Sequence, residues 1–243
     1  MSLAKKILES KKPFVFFHTY AVTEAILARA IGEGKSMDLD ICVDDAGVPY
    51  LGHSKEFYEK SGEAQPRNMP LAAAVDLLAK SDIPVIVDCK HIDAWSVVEG
   101  VVAKLDARRC LVHAFAEELK FDFSRGPGEP DYLTEWQPIE KLKLFKEKFP
   151  EVTACVSCKW LPDDLVVNNS HTALLENIRA ILRKNSIDTV CLNIPNDTFD
   201  DGALRFFRQD DIICHIGVDN IDASKLKEIY IGETDDLGRA SKA

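Results

Sequence analysis

The sequence predicts an α/β chain folded as a single (β/α)8 TIM barrel, with residues 1–243 forming one domain. Three observations lead there. Eight short apolar runs rich in β-branched residues alternate with stretches of helical periodicity, the pattern of a parallel sheet wrapped by helices. The runs are nearly continuous in apolar character, as expected of strands buried on both faces. The length of 243 residues suits a fold that typically needs about 250. An open, doubly wound sheet is the alternative, but no nucleotide-type glycine loop follows the first strand.

In chain order, strands are predicted at Phe14–His18, Met37–Val43, Val85–Lys90, Cys110–Phe115, Thr153–Cys158, Thr189–Ile194, Ile212–Val218 and Glu228–Gly232. Helices are predicted between them at Val22–Gly32, Pro70–Ser81, Ala94–Leu105, Pro138–Phe149, Thr172–Lys184, Phe199–Arg208 and Ala223–Lys227. Leu71, Val75 and Leu78 in one helix, and Leu174, Leu175, Ile178, Ile181 and Leu182 in another, recur with the 3.6-residue period of a buried helical stripe. The irregular stretch is Phe121–Pro138, with Gly126-Pro127-Gly128 at its centre. It follows the fourth strand, so it belongs on the C-terminal face, where barrels build their sites. Its Arg125, Tyr132 and Trp136 suit either a substrate-covering loop or a plain surface loop. The polar stretch Ser54–Met69 is too short for a sizeable cap domain.

A net charge of -10 and a pI near 5.1 argue against general nucleic-acid or anionic-membrane binding. A phosphate-bearing ligand would need local positive charge or a metal. No apolar run approaches the ~18 residues of a membrane span. The lysine-rich start, Met1–Lys12, lacks a signal-peptide core, and Met1-Ser2-Leu3 is given no structural weight. These features predict a cytoplasmic protein with no integral membrane association, unless an export signal has been removed. The seven cysteines show no regular spacing. Cys42, Cys89, Cys110, Cys155, Cys191 and Cys214 lie in apolar runs and read as buried free thiols. Cys155 and Cys158 form a C-x-x-C inside a predicted strand, whereas redox pairs sit at a helix start.

Ionisable residues interrupt the apolar runs at one end of the first three strands. His18 closes the first. Asp38-Leu39-Asp40 lies in the second, followed by Gly47-Val48-Pro49-Tyr50-Leu51-Gly52-His53. Asp88-Cys89-Lys90 closes the third. Residues i and i+2 of a strand share a face, so each pair aims at a common point. Adjacent strands lie about 4.8 Å apart, close enough for all three ends to converge. Burying such groups costs several kcal/mol each unless they are paired or metal-bound. Clustered carboxylates suit a hard cation such as Mg²⁺ or Ca²⁺.

With these motifs in this order, the sequence resembles the glycerophosphodiester phosphodiesterases and the related sphingomyelinase D type phospholipases. The family pattern is a histidine ending strand one, an acidic-x-Asp pair in strand two, a D-G-V-P-like turn leading to a second histidine, and an acidic-x-Lys in strand three. Here these are His18, Asp38-Leu39-Asp40, Ala46-Gly47-Val48-Pro49 leading to His53, and Asp88-Cys89-Lys90. Val218-Asp219-Asn220 and Gly232-Glu233-Thr234-Asp235 stand near the family's closing motifs. There are departures. Thr19-Tyr20 replace the Arg-Gly that usually follows the first histidine, and Ser54 replaces an Asp after the second. Asp38 and Asp88 stand where the phosphodiesterases usually carry Glu, and Gly217 stands where an aromatic is expected.

The resemblance implies one divalent cation, Mg²⁺ or Ca²⁺, on Asp38, Asp40 and Asp88, with His18 and His53 as general acid and base. It implies a small phosphodiester substrate, no nucleic-acid partner, and Lys90 as a positive charge beside the phosphate. Lys159 and Trp160, at the end of the fifth strand, are further substrate contacts on this reading, and Asn193 and Asn196 border the sixth. His113 and His215 read as core histidines. Two other classes stay open: a non-catalytic barrel that binds a phosphate-bearing ligand, and an unrelated barrel enzyme using Lys90 or Lys159 as an amine nucleophile.

Overall fold

The computed structural model describes residues 1–10, 14–19, 21–62, 64–114, 137–157, 172–191, 202–216 and 231–234. Its strands are β1 (Phe14–Phe17), β2 (Ser36–Val43), β3 (Pro49–Leu51), β4 (Val85–Cys89), β5 (Cys110–Ala114), β6 (Thr153–Ser157), β7 (Thr189–Cys191), β8 (Ile213–Ile216) and β9 (Ile231–Thr234). Eight of them pair in parallel in the order β1-β2-β4-β5-β6-β7-β8-β9, and β9 pairs back onto β1. The sheet is therefore closed, a (β/α)8 barrel as expected, and leaves no free edge within the ring. β3 is the exception, folding back antiparallel on β2.

The helices are α1 (Leu3–Glu9), α2 (Glu24–Gly32), α3 (Lys55–Ser61), α4 (Leu71–Leu78), α5 (Trp95–Leu105), α6 (Gln137–Lys148), α7 (Thr172–Lys184) and α8 (Gly202–Arg208). Strand alternation divides the apolar residues into two cores. Outward-facing Met37, Leu39, Ile41, Val85, Val87 and Val112 pack against helical Leu27, Ala74, Leu78, Val98 and Val102. Inward-facing Phe16, Ile86, Leu111, Cys155, Cys191 and Ile213 form the other core, inside the barrel. Burial on both faces explains why the strands read as continuous apolar runs.

Three elements differ from expectation. Met1-Ser2-Leu3 does carry structure: the Ser2 hydroxyl caps α1 by accepting from the Lys5 N–H. Leu3 and Ile7, one turn apart and both 0% exposed, join the inner core and close the barrel's N-terminal end. Leu3, Ala4, Ile7 and Leu8 span barely two turns among charged residues, too short a run to announce a helix, and only the barrel end supplies the surface that buries them. The stretch after His53 contains α3, capped by Ser54. It is a single short helix rather than a cap domain. Pairing in the last strand reaches Thr234, two residues past the expected end. The expected helix Ala223–Lys227 and the loop bearing Arg125, Tyr132 and Trp136 lie outside the described residues.

No helix among the described residues is long and apolar enough to cross a membrane. All six described cysteines are buried, with no disulfide among them.

Candidate active site

β2 carries Asp38 and Asp40 on its inner face, and β4 carries Asp88. The register aligns Asp40 with Asp88, and Asp88 with His113 on β5. These residues stand side by side across three strands. Asp38, two residues earlier, lies one step deeper. One oxygen from each of Asp38, Asp40 and Asp88 falls within 4.8 Å of the others. The three residues are 2%, 5% and 2% exposed, so they form a floor inside the barrel.

Two imidazoles stand over that floor. His18 Nε2 lies 3.2 Å and His53 Nε2 3.0 Å from Asp40 Oδ2. Their side chains are 19% and 13% exposed against 4% for Asp40, so solvent is met at the imidazoles and excluded at the carboxylates. His18 reaches this place because it directly follows β1, at the C-terminal end of the strand.

His53 is positioned by a more elaborate local structure. Asp44 opens the β2–β3 turn, its Oδ1 accepting from the N–H groups of Ala46 at 2.9 Å and Val48 at 2.8 Å. This Asx-type turn brings β3 back beside β2. Gly52 then adopts φ +124, where a Cβ would meet Tyr58 Oη at 3.0 Å and Asn68 Nδ2 at 3.2 Å. Only glycine takes that conformation and that space without strain. The Gly52 N–H donates to the Asp40 carbonyl, 2.9 Å. Tyr50 Oη donates to the His53 carbonyl at 2.8 Å, and the imidazole stacks on Phe57 of α3 with centroids 4.0 Å apart. α3 is thus the shelf on which the second histidine rests.

Lys90 is paired within the carboxylate cluster. Its ammonium sits 2.7 Å from Asp88 Oδ2 and 3.2 Å from Asp40 Oδ1, and its side chain is 8% exposed. Burial alone would push its pKa down, but Asp40 and Asp88, with Asp38 behind them, hold it well above the ordinary lysine value. An amine nucleophile needs the opposite shift, so the geometry disfavours imine chemistry at Lys90. Burial raises the Asp40 carboxyl, yet Lys90 and hydrogen bonds from His18 and His53 outweigh it and hold the group well below the usual range. In Asp88 the same opposition is won by His113 and Lys90, and its pKa is lowered.

His113, 1% exposed, borders this cluster with its Nδ1 3.1 Å from Asp88 Oδ2. Sequence reasoning treated it as a core histidine. The available signal was parity: it faces the same way as Asp88 once β4 and β5 are aligned. Among the expected site residues, His18, His53, Asp38, Asp40, Asp88 and Lys90 converge. Lys159 and Trp160 lie outside the described residues, as do Asn193 and Asn196.

The donor set fits a hard divalent cation. Asp40 Oδ1 and Asp88 Oδ1 are buried without a hydrogen-bond partner among the described residues, although Lys90 approaches the first as an ion pair. Three carboxylates around one ammonium leave negative charge in excess, which a divalent ion would offset. All-oxygen ligation is the preference of Mg²⁺ and Ca²⁺.

Fold and cluster together define the class: a closed (β/α)8 barrel with an acid–histidine site at the C-terminal ends of its first strands. No family model and no curated protein matches the chain. Solved structures do. A glycerophosphodiester phosphodiesterase from Thermotoga maritima superposes with a TM-score of 0.56 at 15% identity, covering 96% of this chain and 99% of that one. Two others, from Parabacteroides distasonis and Agrobacterium tumefaciens, give TM-scores of 0.60 and 0.59 at 12% identity, covering 96% of this chain and 97% and 100% of theirs. A 7,8-dihydropteroate synthase from Vibrio fischeri also matches, with a TM-score of 0.50 at 10% identity over 97% of this chain and 91% of that one. At such identities the likeness establishes the fold, and function must be argued from the site.

Proposed function

We propose that the protein is a metal-dependent phosphodiesterase of the glycerophosphodiester phosphodiesterase type, cleaving a glycerol- or lipid-headgroup phosphodiester. One observation carries the reading: two imidazoles 3.0 and 3.2 Å from a carboxylate that shares a three-acid oxygen cluster. The structural likeness to phosphodiesterases from three bacteria supports it.

Asp40 Oδ2 accepts from both imidazoles, so the proton of each sits on Nε2 and both rings are fixed in tautomer and direction. One histidine takes the proton of the attacking hydroxyl, and the other protonates the departing oxygen. Such assistance is worth about 10²–10⁴-fold per group. Lys90 keeps a positive charge under the cluster, so that phosphate and carboxylates can share one small volume. Asp38, Asp40 and Asp88 would hold a Mg²⁺ or Ca²⁺ ion, and when bound it would supply Lewis-acid withdrawal of charge from phosphorus. The nucleophile is the substrate's own neighbouring hydroxyl or a water. The first leaves a cyclic phosphate and the second a monoester.

Phosphorus NMR of products from a panel of small glycerophosphodiesters tests this, run with Mg²⁺, with Ca²⁺ and with EDTA. The expected result is turnover that EDTA abolishes, and the product peak distinguishes hydrolysis from cyclisation. Tight cation or phosphate binding without turnover of any diester would replace the proposal with a non-catalytic phosphate-binding barrel.

A further inference from the structure

The other half of the barrel interior holds a second cluster that the diester chemistry does not use. β5, β6, β7 and β8 contribute His113, Cys155, Cys191 and His215. The register aligns His113 with Cys155, and Cys191 with His215. Their exposures are 1%, 0%, 1% and 0%. One donor atom from each of His113, Cys155 and His215 lies within 4.8 Å of the others. The two rings meet edge to face with centroids 5.4 Å apart. Cys191, in register with His215 and 1% exposed, faces the same interior.

We propose that His113, Cys155, Cys191 and His215 form a closed Cys₂His₂ site for a zinc-class divalent transition metal, separate from the carboxylate site beside it. The donor chemistry selects the ion. Two thiolates and two imidazoles suit zinc in tetrahedral geometry, whereas Mg²⁺ and Ca²⁺ need oxygen. Zinc–ligand bonds of 2.0–2.3 Å place donors about 3.3–3.8 Å apart; from the 4.8 Å that bounds His113, Cys155 and His215 this is a contraction of up to about 1.5 Å, which side-chain rotations supply, and rotation of Cys191 brings in the fourth donor.

Three further features point the same way. Asp88 Oδ2 lies 3.1 Å from His113 Nδ1 as an ion pair that is not aligned as a hydrogen bond; a small ring rotation would make it the carboxylate–imidazole pairing that orients metal-binding histidines. Both ring nitrogens of His113 are buried with no aligned hydrogen-bond partner among the described residues. Cys155 and Cys191 both face the barrel's inner core, on the two strands that lie between those of His113 and His215. Four protein ligands leave no open position, so the site is structural and ties four successive strands together. Binding releases to solvent the protons that the thiols and imidazole nitrogens among the four donors still carry.

Production of the protein in medium with Co²⁺ in place of zinc tests the proposal. The expected spectrum shows thiolate-to-cobalt charge transfer and intense tetrahedral d–d bands at about one metal per chain. Both are retained in Asp38→Asn and Cys110→Ser, and lost in Cys191→Ser and Cys155→Ser. Folded wild-type protein without the charge-transfer band overturns the site, as does a band that survives in a folded serine variant of either ligand cysteine. If neither serine variant folds, the wild-type spectrum, with its loss on mercurial modification of the thiols, decides.

Discussion

Across the barrel interior, β1–β4 and β5–β8 present different chemistry at the same depth. The first half offers carboxylates, an ammonium and imidazoles, all oxygen and nitrogen donors, with His18 and His53 reaching toward solvent. The second offers thiols and imidazoles and is sealed. One strand pair joins them, since Asp88 and His113 stand in register and in contact. The comparison shows how one scaffold separates tasks. Partly exposed groups over a charged floor can exchange protons and ligands, whereas a dry, fully enclosed set of soft donors can only hold something in place.

The sharpest way to break this contrast is to remove the exposed imidazoles. His18→Ala or His53→Ala should lower kcat/KM on a small diester by about 10²–10⁴-fold while leaving the circular dichroism and the cobalt spectrum of the sealed half unchanged. Next is Lys90→Met. It leaves the ionised Asp40 and Asp88 facing each other without their buried cation, so stability should fall by about 3–5 kcal/mol. Added Mg²⁺ should raise the urea midpoint more in this variant than in the wild type. An equal response would show that the carboxylate half does not gather a cation.

Smaller effects test how the two halves are supported. Gly52→Ala places a Cβ against Tyr58 and Asn68 at a φ that resists side chains. It should cost about 1–3 kcal/mol, and because it displaces His53 it should lower turnover beyond the loss of folded protein. Acid should act through Asp40 and Asp88, whose folded-state pKa values lie below the ordinary carboxylate value. A lowered pKa contributes stability above about pH 4 that is lost as pH falls through the folded-state values. Urea midpoints measured from neutral pH downward should show this loss, and Asp40→Asn should flatten the acid limb.

Much of this was legible in the sequence because strand alternation is local. Asp38-x-Asp40 and Asp88-x-Lys90 declare a shared face without any knowledge of neighbouring strands, and His18 declares a strand end. The β-branched runs and helical stripes gave the barrel by their order alone. α1 and α3 were not legible, since each is seven residues long and gains its stability from a surface elsewhere in the chain. Leu3 and Ile7 need the barrel's open end, and the packing of Phe57 needs the His53 ring.

The sequence by itself determined which side chains face inward on each strand, and therefore the acids and histidines that could meet. Only the tertiary structure decided which did. Closing the ring set β4 beside β5 and so made His113 the partner of Asp88. It turned Lys90 down between two carboxylates, and it gathered thiols and imidazoles from strands up to about a hundred residues apart. The physical reason is that alternation is fixed by the backbone of a single strand, whereas register and closure are collective, fixed only when every strand has found its neighbour.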